Sequence, residues 1–343
     1  MSVNQSALLS QQLQQNQQIL LSQATSAQQT TGAAQAQTAL ATDPVATAMY
    51  NPTLQLFDSL LILEAVLKNP PQTPSVPQGC QNLNEEIAYT LFAQSVCNWE
   101  SAYQSTEKEN GGSLPSSSPL TPFTQTIQND LTATLPCGQS IYQLCQTVSA
   151  NPSQWQLLQQ NVPNSQLSNL LVNTNDWIGE DQSMNVQNPT WWIDQNTLNS
   201  NSEISKLQAV YNMFCNPNSP TYYNPDQPAT GGEINNMIYA IDGAFWPAWG
   251  SVTSDPSTNP PLLTLMWDFA NTPFFNVDLN GSGSSQPESL YGICQWYVAD
   301  YGNSETPLPP QDITMVQGVI NSCLGVMQDL LLLANQAYGL IPN

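Results

Sequence analysis

Only three of the 343 residues are basic, Lys68, Lys108 and Lys206; arginine and histidine are absent, against 25 Asp and Glu. That shortage decides most of what the chain can be. Without a basic patch nothing neutralises phosphates, so nucleic-acid binding is excluded as a role. A phosphate-clamping kinase or P-loop site and a positive-inside membrane anchor fall for the same reason. Without imidazole there is no Ser-His-Asp triad, no histidine metal site and no histidine pH switch. No cofactor motif replaces them.

The net charge of −22 arises from removal of bases, because charged residues of both signs make up only 8% of the chain. An ordinary soluble domain carries roughly 25%. Polarity is carried by uncharged groups instead, 73 Gln and Asn among them, while 40% hydrophobic residues and nine Trp supply a core. Near pH 2 the carboxylates protonate, and the net charge becomes about +4, from three lysines and the amino terminus. An ordinary domain at that pH unfolds by repulsion among many uncompensated positive charges. Exposure to strong acid is therefore the condition this composition suits. Escape from ubiquitination spares arginine, resistance to trypsin-like proteases is indifferent to histidine, and nitrogen economy does not retain so much Gln and Asn. The bland alternative is an idiosyncratic low-charge protein.

The expected location is extracellular, at a cell surface or on a virion. Residues 1 to 30 lack the basic segment of a secretory signal, and Ile19-Leu20-Leu21 is too short for its apolar stretch. The expected route is thus a removed leader, a leaderless pathway or release within a particle. The run Leu330 to Ala334 is far shorter than the ~20 residues of a membrane span, so no span is expected. Seven cysteines without a C-x-x-C motif suggest one or two disulfides plus buried thiols.

Periodicity predicts a mainly α fold: one irregular multi-helix domain, residues 45–343, with long Pro/Asn-rich loops, behind an uncharged Gln/Ala/Thr-rich extension, residues 1–44. Within the extension Leu8, Leu13 and Leu20 fall at helical spacing. They form a candidate assembly stripe, whose Gln-rich surroundings can hydrogen-bond without ionising; a flexible tail is the alternative. Helices are expected over 54–68, 83–109, 123–135, 138–149, 153–160, 165–173, 202–214, 233–245, 262–270, 288–301 and 311–339.

Three clusters could hold chemistry. Aromatic pairs in the second half, above all Trp191-Trp192 and Trp246 with Trp249, suit stacking on carbohydrate, though such pairs more often anchor a core. Asp176, Glu180 and Asp181 surround Trp177, and Glu233, Asp242 and Asp268 flank the aromatic region; a glycosidase needs two carboxylates about 5–9.5 Å apart. Asp278, Asn280, Ser282 and Gly283 start like a calcium loop, but position 12 is Ser289, not Glu, which favours an ordinary turn. No metal site is expected.

The leading expectation is a non-catalytic, acid-stable structural or assembly protein that associates with itself or with other structural subunits. A secreted carbohydrate-binding protein or glycoside hydrolase is the alternative, and a leaderless secreted effector the third.

Overall fold

A computed structural model describes residues 43–68, 83–183, 201–251, 261–279, 281–302 and 308–338. The expected assembly stripe of Leu8, Leu13 and Leu20 lies outside these residues, as do Trp191, Trp192 and Cys80. Among the described residues the fold is a mainly α single domain of eleven α-helices and one two-stranded sheet.

The organising element is α1 (Pro44–Lys68), which starts ten residues before periodicity predicts. Its start follows from local chemistry. Asp43 Oδ1 accepts hydrogen bonds from the Val45 and Ala46 amides at 2.9 and 3.1 Å, and Pro44, which has no amide to satisfy, fits the first helical position. Pro52 sits inside the helix, buried on a surface where packing outweighs the lost backbone bond. Burial extends around α1 from Val45 to Val66, because α2 (Leu83–Glu109), α6 (Asn164–Ser183), α9 (Pro261–Asn271) and α11 (Pro310–Tyr338) all pack on it.

The buried contacts of α1 are partly polar. Trp99 of α2 is fully buried and donates from Nε1 to Thr53 Oγ1 at 3.1 Å. Thr106 donates to the Ala102 carbonyl at 2.7 Å and Ser59 to the Leu56 carbonyl at 2.8 Å. Such internal bonds satisfy hydroxyls without any charge.

Around this centre α4 (Ile141–Ala150) lies on α2, and α3 (Thr121–Thr132) bridges α4 and α6. Helix α4 begins with a capping box in which Ser140 and Gln143 satisfy one another's backbone amides. A short 3-10 turn, Pro152–Gln154, and α5 (Gln156–Asn161) replace the single helix expected over 153–160. In the second half α8 (Gly231–Ser251) packs on α7 (Asn201–Cys215), α9 and α10 (Leu290–Asp300). Gly243 permits the closest of these contacts: a Cβ there would lie 2.7 Å from Lys206 Cδ, so the lysine stem crosses α8 where no side chain stands.

The hairpin β1 (Phe275–Val277) and β2 (Gln286–Glu288) pairs Phe275 with Glu288 and Val277 with Gln286. Phe275 and Val277 face the core while Asn276 faces water. Helix α11 keeps its predicted 3.6 period, burying Val316, Ile320, Cys323, Met327 and Leu331. It is long and apolar enough to cross a membrane, with a mean hydropathy of 1.4 over Pro310–Ala334, and 67% of that stretch is buried inside the fold. The apolar content that a single run hides is spread along this helix.

The expectation of disulfides fails among the described residues: Cys97, Cys137, Cys145, Cys215 and Cys294 are free thiols. Burial pushes the Cys97 thiol up to about 11 and the Cys215 thiol up to about 12, which suppresses the reactive thiolate. Cys97, Cys145, Cys215 and Cys294 pack as small apolar groups, while Cys137 is exposed.

Candidate functional site

Several surface carboxylates accept hydrogen bonds from neutral donors. Glu233, in the first turn of α8, accepts from the Thr230 amide at 2.7 Å and its hydroxyl at 2.8 Å, while Thr230 Oγ1 accepts from the Glu233 amide. That reciprocal box caps the helix and removes Glu233 from the catalytic candidates. Asp242 accepts from Gln295 Nε2 at 3.3 Å, and Asp312 from Tyr301 Oη at 3.0 Å. Asp278 is turned into the hairpin loop, with Oδ1 accepting from the Ser282 amide at 3.0 Å and Oδ2 from the Gly283 amide at 2.5 Å. The calcium-like spacing is therefore the signature of a turn. Gly283, at φ +77°, supplies the conformation that turn needs. Among the described residues no cluster of His, Cys, Asp and Glu could hold a metal.

The trio around Trp177 is divided by the helix it stands on. Asp176 faces solvent, whereas Trp177 and Asp181 are fully buried, since neighbouring residues on α6 point in different directions. Trp177 packs its ring 6.4 Å from that of Tyr50 and donates to Thr124 Oγ1 at 2.9 Å, so it anchors α6 to α1 and α3.

Most aromatic pairs are core as well. Phe245 lies 5.9 Å from Phe269, and Phe274, Phe275, Tyr223 and Tyr297 are buried. The stretch from Phe245 to Trp249 belongs to α8, which runs six residues past the end expected at 245. Of the carbohydrate candidates, Trp246 is 59% exposed, and Tyr239, two turns earlier, is 41% exposed. Trp249 lies in the last turn of the same helix.

What residue patterns did not reveal is a set of acids inside the fold. Asp58 on α1, Asp181 on α6 and Asp268 on α9 are buried, and Asp58 Oδ2, Asp268 Oδ2 and both oxygens of Asp181 have no hydrogen-bond partner among the described residues. Burial pushes Asp58 up to about 8 and Asp268 to about 7. Burial first, and the nearby Asp43 carboxylate second, push Asp181 up to about 7. Burial likewise raises Glu86 and Asp329 to about 7. Each cause disfavours the anion, and no lysine is on hand to reverse it. Their only sequence signal was the shortage of bases itself.

Comparison of the chain with protein-family models, with curated proteins and with solved structures gives no match.

Proposed function

We propose that the chain is an acid-stable extracellular structural protein, of a virion or a cell surface, that works by assembly with its own copies or other structural subunits. The supporting observation is the interior set Asp58, Asp181 and Asp268, buried without cationic partners. A carboxyl group in such a site is comfortable only when it carries its proton. A fold built around several of them is suited to acid, which is also the condition that removal of Arg and His favours. The surface follows the same logic, holding its acids with amides and hydroxyls that do not titrate near neutrality. In this reading the uncharged stripe of Leu8, Leu13 and Leu20 makes the contacts between subunits.

Size-exclusion chromatography with light scattering and negative-stain microscopy, at about pH 3, tests the assembly half on the full chain and on a chain lacking residues 1–42. The full chain is expected to form large species and the truncated chain to remain monomeric. A full chain that is monomeric throughout contradicts it.

The exposed pair Tyr239 and Trp246 on one side of α8 favours a second reading, carbohydrate binding at acid pH. Glycan-array binding that Trp246→Ala abolishes would support it, and an array with no signal removes it.

A further inference from the structure

The seam between α1 and α6 brings two acids into a low-dielectric site on unequal terms. Asp43 is 7% exposed and takes two backbone amides at the start of α1. Asp181, fully buried in the last turn of α6, takes none. A buried carboxyl that holds no donor and lies near a second carboxyl favours its protonated form. The remaining groups offer no relief. From α1, Tyr50 feels both Asp181 and Asp58 electrostatically. From α3, Asp130 accepts from Asn173 Nδ2, two turns earlier on α6. On α6 itself stand Asp176 and Glu180. Neither α3 nor α6 contains a lysine, and the one on α1, Lys68, sits at its far end beside Glu64 at 2.5 Å.

Helix α6 packs chiefly on α1 and α3, not on α2, α9 or α11. Its last turn beyond Trp177 can therefore lift without disturbing the centre of the core. We propose that this seam is an acid latch, closed while Asp181 is protonated and opening locally, ahead of global unfolding, when Asp181 loses its proton. The direction follows from linkage. In the closed seam Asp181 titrates near 7, and in the open seam at the ordinary value of about 4. Between those values opening releases a proton, so rising pH drives it, and below about pH 4 the latch is fully closed.

This deepens the acid reading proposed above but fails separately from it. Hydrogen exchange of the full chain, followed by mass spectrometry from about pH 4 to about pH 7.5, tests it, with each rate divided by its intrinsic rate. Peptides spanning 43–52 and 175–183 should open up to about tenfold more for each pH unit. Asp181→Asn should flatten that slope. Asp43→Asn, which keeps a good cap but removes the facing charge, should shrink the total rise. An Asp181→Asn slope equal to wild type overturns the latch, as does protection of both segments matching that of α2 at every pH. Overall stability that does not fall as pH rises contradicts the acid-habitat reading instead, whatever the seam does.

Discussion

Asp181 and Glu233 are both helix carboxylates, and they sit in opposite circumstances. Glu233 stands at the start of α8, where the helix dipole welcomes an anion and the Thr230 amide and hydroxyl donate to it. Asp181 stands at the end of α6, fully buried, with no donor among the described residues. The difference reaches further. Glu233, Asp278 and Asp312 accept from neutral donors at the surface, whereas burial without a donor favours the neutral acid at Asp58, Asp181 and Asp268. A chain nearly without bases has replaced ion pairs by these two devices, and only the second depends strongly on pH.

Substitutions separate the two classes, beginning with the largest effect. Asp58→Asn removes a buried group that titrates near 8, so it should stabilise the fold at about pH 7.5 by on the order of 2–4 kcal/mol, read from urea unfolding. Near pH 4 the sign should reverse to a cost of about 1 kcal/mol, because the amide has a second donor to satisfy. Equal effects at both pH values would break the comparison. Trp177→Phe should cost about 1–3 kcal/mol at either pH, through a lost hydrogen bond to Thr124 and a small void. Thr230→Ala should cost about 1 kcal/mol, also independent of pH in this range, as the cap of α8 is lost. Asp312→Asn keeps an acceptor for Tyr301 and should stay within about 0.5 kcal/mol at both pH values.

Legibility followed the same division. Helices α2 and α11 could be read from periodicity because one face of each is apolar at regular spacing. Helix α1 begins ten residues before its apolar periodicity does, and only the surrounding packing shows why Pro52 does not end it. The usable signal, Asp43 before Pro44, is a plain N-cap pair. Helix α8 was cut before Pro247, which made an aromatic helix end look like a binding loop. The capping role of Glu233 is legible in the sequence as Thr230-x-x-Glu233. The interior acids could not have been found this way. Asp58, Asp181 and Asp268 lie in three separate helices, and what makes them unusual is the company they lack once those helices pack.

If protonation closes this interior, urea unfolding of the full chain at about pH 4 and about pH 7.5 will show it. Groups whose folded values are raised stabilise the fold fully below the ordinary carboxylate range of about 4, and that contribution fades as pH climbs toward 7 to 8. The urea midpoint should be markedly higher at the acid pH. A midpoint that is equal at the two pH values, or higher near neutrality, would contradict it.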